Sequence, residues 1–241
     1  MTAAPSAHAH ARISDPRLII PLDVPTVDEA RALVTRLGDA VTFYKIGLQL
    51  FATGGMGLAA ELKAQGKQVF LDWKLHDIGA TVEKAAAAIA EAGSGDFLTV
   101  HAQPQVLNSA VKGRGASGLK ILGVTVLTSL SADDLVEIGY GLSVEKLVER
   151  RIRQVLDAGA DGVIASPHEA ALARRIGGPG FLVVTPGVRP AGSGKDDQAR
   201  AATPAQALQS GASHLVCGRP ITGAQDPYAA ALAVVEEMAG V

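Results

Sequence analysis

Cysteine is almost absent from this chain: Cys217 is the only one in 241 residues. No intramolecular disulfide can form, which fits a reducing compartment and an expected cytoplasmic location. Cys217 lies in the apolar run HLVCG, where a thiol reads as a small buried hydrophobe rather than a nucleophile. Long hydrophobic runs are missing too: nothing approaches the roughly eighteen apolar residues of a membrane span, so no transmembrane helix is expected. The opening MTAAPSAHAHARISD lacks an apolar signal-peptide core and reads as a flexible arm over residues 1–15, with His8 and His10 inside it. Neither sign of charge dominates, since 22 Lys and Arg against 24 Asp and Glu leave a net charge of −2. That argues against a general nucleic-acid or anionic-membrane surface, while leaving room for a small cationic pocket. No linker or low-complexity stretch divides the chain, so one catalytic-sized domain over residues 16–241 is expected.

Hydrophobic residues, by contrast, make up 48% of the chain, with aromatics at only 4%. A core built from Ala, Val, Leu and Gly suits helices packed closely on strands. Strand-like and helix-like segments alternate throughout. RLIIPLD (17–23) precedes a helix pattern at 27–37, VTFYKIG (41–47) one at 56–65, and QVFLDWK (68–74) an Ala-rich one at 82–92. DFLTVHA (96–102) precedes 104–112, and LKILGVTVL (119–127) precedes a polar loop and a helix at 143–158. DGVIAS (161–166) leads to 168–176, FLVVTPG (181–187) to a Gly-rich loop and 204–210, and HLVCG (214–218) to 227–238. Near-continuous apolar strands indicate a parallel sheet covered by helices. Eight such units favour a closed (β/α)8 TIM barrel over an open doubly wound sheet.

In a barrel of this kind chemistry sits at the C-terminal strand ends. Polar residues recur there: Asp23, Lys45, Asp72, Lys74, His101, Thr128, Ser129, Ser166, Arg189 and Arg219. The stretch FLDWKLHDIGATV (70–82) is the densest, placing Asp72, Lys74 and Asp77 within six residues. Asp72 and Lys74, two apart on a strand, project from one face. A satisfied ion pair capping the strand is the structural alternative, but eight strands aiming polar groups at one mouth favour a site. Lys45 and Lys74 can alternate with Asp72 and Asp77, so that every charge in a dry site is paired. Such a network fixes an ammonium where a proton must be delivered. It also holds a carboxylate that would repel a substrate carboxylate by about 4 kcal/mol at ~4 Å and an effective dielectric near ~20. Two later segments suit phosphate: VTPGVRPAGSGKDDQ (184–198), with Gly187, Gly192, Gly194, Arg189 and Gln198, and CGRPI (217–221), with Gly218 and Arg219. Loops after the last two strands commonly form a phosphate site in these barrels.

DWKLHDI resembles the D-x-K-x-x-D-I signature of the orotidine 5′-phosphate decarboxylase family, in its compact bacterial form. FYKIGLQLF, VTVLTSL, VTPGVRP and CGRPIT extend the resemblance, in order, over residues 17–238. It implies decarboxylation of orotidine 5′-phosphate to uridine 5′-phosphate, the last step of de novo UMP biosynthesis, with neither metal nor organic cofactor. Lys74 would protonate carbon-6 of the pyrimidine, with Asp72 beside the departing carboxylate. Asp77 would enter the site of the partner subunit, which implies a homodimer. Asp23 and Lys45 would hold the ribose hydroxyls and support the network, and Thr128, with Ser129, would contact the pyrimidine. Arg189, Gln198, Gly218 and Arg219 would grip the phosphate, and Pro186 is also expected to bind substrate. Trp73 stands where the family usually has a smaller aliphatic residue, and should point toward the helix layer. Gly79–Ala80 replaces a common Pro–Asn pair, while Thr81 is retained and expected to reach ligand. HAQPQ after the fourth strand also departs from the usual loop of small residues. His76 and His101 read as polar support, and His168 and His214 as structural. The alternatives are a metal-dependent sugar-phosphate decarboxylase of the same superfamily, and a non-catalytic nucleotide-binding barrel.

Overall fold

The computed structural model describes residues 13–191 and 202–241. Each apolar run becomes a short strand followed by helix. β1 (Leu18–Pro21) leads to α1 (Val27–Leu37), and β2 (Phe43–Gly47) to the single turn α2 (Leu48–Phe51) and then α3 (Gly55–Ala64). β3 (Gln68–Leu75) leads to α4 (Gly79–Ala92), and β4 (Phe97–His101) to α5 (Pro104–Arg114). β5 (Lys120–Val124) is followed by a short α6 (Ala132–Glu137) and the long α7 (Val144–Asp157). β6 (Gly162–Ile164) precedes α8 (Ala170–Gly177), and β7 (Leu182–Pro186) precedes α9 (Pro204–Gln209). β8 (His214–Val216) ends in the one-turn α10 (Arg219–Thr222), and α11 (Pro227–Ala239) closes the ring.

The strands pair in parallel and in chain order, and β8 returns to β1, so the sheet is a closed (β/α)8 barrel. Inward-facing residues fill it: Ile19, Phe43, Phe70, Phe97, Leu122, Val184 and Val216 form one interior cluster. Phe97 meets Phe43 edge-on at 5.0 Å and the His214 ring at 5.1 Å. Each fully buried Phe contributes about 2–3 kcal/mol, so three of them give the barrel a firm floor. The outward faces of the strands join the apolar stripes of the helices in a second, larger cluster. On α7 that stripe is Leu147, Val148, Ile152 and Val155.

Sequence-level caps set several helix starts. The Thr26 hydroxyl accepts the Glu29 N–H at α1, and Ser143 accepts the Lys146 N–H at α7. In the expected polar loop after β5, Ser131 and Asp134 form a reciprocal capping box that nucleates α6. The helix expected from residue 82 begins three residues earlier, at Gly79. The reason is packing: a Cβ at Gly79 would sit 2.7 Å from Ser109 Oγ of α5, so glycine lets the two helices meet at once. The helix expected from 168 starts at Ala170, and CGRPI is less a loop than the first turn of α10. Trp73 is buried on the helix side, its ring 4.5 Å from Phe51, as its position on β3 requires. His8 and His10 lie outside the described residues.

Candidate active site

At the C-terminal end of the barrel lies a cavity of about 350 Å³. Its wall on the β1–β3 side carries a row of ions. Lys45, near the end of β2, is almost fully buried and lies 3.2 Å from Asp23 Oδ1 and 3.3 Å from Asp72 Oδ2. Lys74 Nζ lies 2.9 Å from the other oxygen, Asp72 Oδ1. The result is an alternating Asp23–Lys45–Asp72–Lys74 row spread over three neighbouring strands. Parallel register brings them level, since Pro21 pairs with Lys45 and Gly47 with Asp72. Gly47 also keeps the space open: a Cβ there would sit 3.2 Å from Asp23 Oδ1 and 3.4 Å from Lys45 Nζ.

Asp72 is the hub. Burial pushes its carboxyl upward, but the two ammonium groups and hydrogen bonds from Lys74 and Thr99 outweigh that and hold it below its ordinary value. The carboxylate therefore stays charged in a site where an isolated charge would neutralise. Lys74 lies in an irregular stretch of β3. Between Leu71 and Leu75 the register advances four residues along β3 but only from Leu98 to Val100 on β4. Lys74 adopts φ 48°, and it is the one non-glycine residue with positive φ among those described. A bulge at a barrel rim that re-aims a side chain is a recurrent feature of functional sites.

The β7 and β8 ends supply the cationic side. Pro186, Arg189, Gly218 and Arg219 line the same cavity, and the Arg189 N–H is tied to Ala202 O at 3.1 Å. Thr128 lines it from the loop after β5, along with Val124, Val126 and Leu127, and Phe70 and Ile164 add further apolar wall. These apolar residues were not singled out from sequence. Their signal was strand parity, which places Phe70 on the face of Asp72. The loop bearing Thr128 is anchored by Arg151 of α7. Its buried guanidinium donates to Thr125 O and, at 2.6 Å, to the Tyr140 hydroxyl.

Not every expected residue reaches the cavity. Asp77 was expected to alternate within the ionic network, but within one chain Asp23 takes that place. Asp77 is exposed, and its Oδ1 accepts the Ile78 N–H at 2.6 Å. Thr81 is exposed in the first turn of α4 and does not line the cavity of its own chain. Ser129 and Ser166 are not among the lining residues either, and Gln198 lies outside the described residues. The rings of His76 and His101 stand 4.7 Å apart beside the cavity, with His76 Nε2 3.0 Å from Gln103 Oε1. Burial, then the nearby His76, Arg151 and Lys74 charges, push His101 down from its ordinary value. His214 sits at the opposite end of the barrel, where burial pushes it down to about 4. Cys217 is fully buried and its thiol is pushed up to about 12, which suits packing and not nucleophilic attack. Among the described residues no three His, Cys, Asp or Glu side chains are grouped to hold a metal ion, and no helix is long and apolar enough to cross a membrane.

A cavity with a buried carboxylate between two ammonium groups at one side and two arginines at the other can take a doubly anionic ligand with an apolar middle. Known proteins carry the same arrangement of sequence and fold. Residues 16–234 match the Orotidine 5′-phosphate decarboxylase / HUMPS family. The chain is 68% identical over 232 residues to an orotidine 5′-phosphate decarboxylase of Caulobacter vibrioides (strain NA1000 / CB15N), covering 95% of this chain and 99% of that one. It is 55% identical over 224 residues to one from Rhodopseudomonas palustris (strain BisA53), covering 93% of this chain and 95% of that one. A crystal structure of orotidine 5′-phosphate decarboxylase from Lactobacillus acidophilus superposes with a TM-score of 0.82 at 38% identity, covering 93% of this chain and 99% of the other. On these matches, which run nearly end to end, the chain belongs to the orotidine 5′-phosphate decarboxylase / HUMPS family.

Proposed function

We propose that this chain decarboxylates orotidine 5′-phosphate to uridine 5′-phosphate, using the Lys74 ammonium as the acid. The observation that carries the reading is the Asp23–Lys45–Asp72–Lys74 row in one cavity with Arg189 and Arg219. The arginines and the backbone at Gly218 suit the phosphate. Asp23 and Lys45 suit the ribose hydroxyls, and Thr128 with its apolar neighbours suits the pyrimidine face. Held there, the substrate carboxylate would approach Asp72. Repulsion of about 4 kcal/mol between like charges at ~4 Å, at an effective dielectric near ~20, is relieved as carbon dioxide leaves.

The step balances without any redox partner. The bond from carbon-6 to the carboxyl carbon breaks, and its electron pair remains at carbon-6. That pair takes a proton from Lys74 Nζ, leaving a neutral amine that solvent reprotonates. Lys45 keeps Asp72 ionised while Lys74 is momentarily uncharged. The mechanism requires neither metal nor organic cofactor. A metal-dependent sugar-phosphate chemistry would need acidic ligands around Asp72, and Lys45 stands there instead.

The same reading includes a homodimer in which Asp77 serves the neighbouring subunit's site. Asp77 is exposed and unused in its own cavity, and Ile78 beside it is 67% exposed. A cytoplasmic location fits the single reduced cysteine. The test is the absorbance of orotidine 5′-phosphate with purified protein in excess EDTA. Rapid loss with formation of uridine 5′-phosphate is expected. A folded protein that gives no decay overturns the assignment and redirects attention to sugar phosphates with magnesium.

A further inference from the structure

The Thr99 hydroxyl occupies a place for which strand pairing alone gives no reason. Thr99 is the central residue of β4, fully buried, and faces the irregular stretch of β3. Its Oγ1 accepts the backbone N–H of Lys74 at 3.0 Å and donates to Asp72 Oδ1, also at 3.0 Å. A hydroxyl has one proton to give and two lone pairs to offer, so both roles are met at once. One oxygen thus binds the backbone of the lysine and the side chain of the aspartate with which that lysine pairs.

We infer that Thr99 is a positioning residue that sets the Lys74–Asp72 geometry, and this rests on the proposed role of Lys74 as proton donor. Lys74 holds φ 48°, a conformation L residues avoid and that neighbouring structure must impose. The bond to its N–H is such a constraint. On the other side, Asp72 Oδ1 has two donors, Lys74 Nζ and Thr99 Oγ1. When Lys74 delivers its proton, the ammonium no longer restrains that oxygen, but the Thr99 hydroxyl does. The carboxylate then keeps its orientation through the step in which Lys74 changes charge.

Valine and serine separate this from simple packing. Thr99→Val preserves the branched shape and removes both hydrogen bonds, while Thr99→Ser keeps both bonds and removes the methyl group. Loss of two bonds to charged or strained partners predicts a fall in kcat of roughly 10–100-fold in the valine variant. KM for orotidine 5′-phosphate and the affinity for uridine 5′-phosphate should stay within about 3-fold, since Thr99 does not line the cavity. Serine should restore kcat to within about 3-fold of the parent. Carboxyl NMR of Asp72 in the folded protein should show its pKa raised by valine and not by serine, because only valine removes the donor.

Parental kcat and an unmoved Asp72 titration in Thr99→Val would overturn the inference. Equal loss of kcat in the two variants would also overturn it, by assigning the effect to packing. The Asp72 titration does not depend on turnover. If Lys74→Ala proves fully active, the proton-donor reading fails by itself, and the NMR measurement still decides whether Thr99 holds the aspartate.

Discussion

Lys74 Nζ lies 2.9 Å from Asp72 Oδ1 although the lysine backbone is left-handed, at φ 48°. Such a backbone costs a non-glycine residue roughly 1–2 kcal/mol, and here it is held at the rim of the cavity where the ammonium faces the ligand space. Cost and location together point to chemistry at Nζ. Lys74→Ala should lower kcat by at least ~10²–10⁴-fold, the usual contribution of a positioned general acid. Binding of uridine 5′-phosphate should change far less. Single-turnover decarboxylation and a product titration on the same preparation check both halves, and near-normal turnover would remove Lys74 from its assigned role.

Gly47 tests the ionic row without deleting a charge. A methyl group at that position would sit 3.2 Å from Asp23 Oδ1, tighter than ordinary contact, and 3.4 Å from Lys45 Nζ, at the edge of it. Gly47→Ala should therefore push Asp23 or Lys45 aside, lowering kcat/KM by roughly 10-fold. Thermal unfolding should move little, because φ is near −91° and alanine fits that backbone. Steady-state kinetics beside a melting curve separates the two, and an unchanged kcat/KM would show that the row tolerates displacement.

These two positions also show what could be read in advance. Alternation along QVFLDWK placed Asp72 and Lys74 on one face, and the eightfold repeat placed that face at a barrel mouth. The bulge that brings Nζ onto Oδ1 carries no glycine or asparagine to announce it; it depends on a register shift against β4. Thr99 sits inside the apolar run FLTVH and looks like strand core until its partners are known. Spacing makes Asp77 the expected fourth member of the ionic row, and nothing in the local sequence puts Asp23 there. Only the tertiary pairing of β1 with β2 brings Asp23 beside Lys45 within one chain. The start of α4 at Gly79 was hidden for a similar reason, since its close contact with α5 is not a local property.

Arg219 begins α10 and lines the cavity beside Gly218. In the proposed role of phosphate contact, remote from carbon-6, it would contribute binding that is present before and during reaction. Arg219→Ala should raise KM for orotidine 5′-phosphate by roughly 10–100-fold, with a smaller effect on turnover of the unphosphorylated nucleoside. Comparing the two substrates in parent and variant checks this. An equal penalty on both would place Arg219 elsewhere than at the phosphate.

Asp77 provides a test of shared sites that needs no structure of the assembly. In a homodimer with exchanged aspartates, Lys74→Ala and Asp77→Ala are each inactive alone. Random exchange makes half the dimers mixed, each with one intact site, so about one quarter of the parental sites should reappear. Mixing the purified variants and following decarboxylation measures this. No recovery after verified subunit exchange would mean that Asp77 acts within its own chain or not at all.

His214 makes the stability of the barrel depend on pH far from the cavity. Its ring packs edge-on against Phe43 and Phe97, at 6.0 and 5.1 Å, and burial pushes it down to about 4 from 6.5. In the unfolded chain the imidazole takes up a proton near pH ~6.5, while in the folded protein it stays neutral until about 4. Between those values the unfolded state binds more protons, so stability falls as pH is lowered through that window. The full shift corresponds to at most about 3 kcal/mol. Asp72 adds its own loss only at lower pH, because its depressed carboxyl titrates below its ordinary value. Urea denaturation at intervals between pH 7 and 4 should therefore show a decline, and His214→Phe, which keeps an aromatic ring in place, should flatten it. A variant that retains the full slope would mean that groups other than the barrel-floor histidine control acid stability in this range.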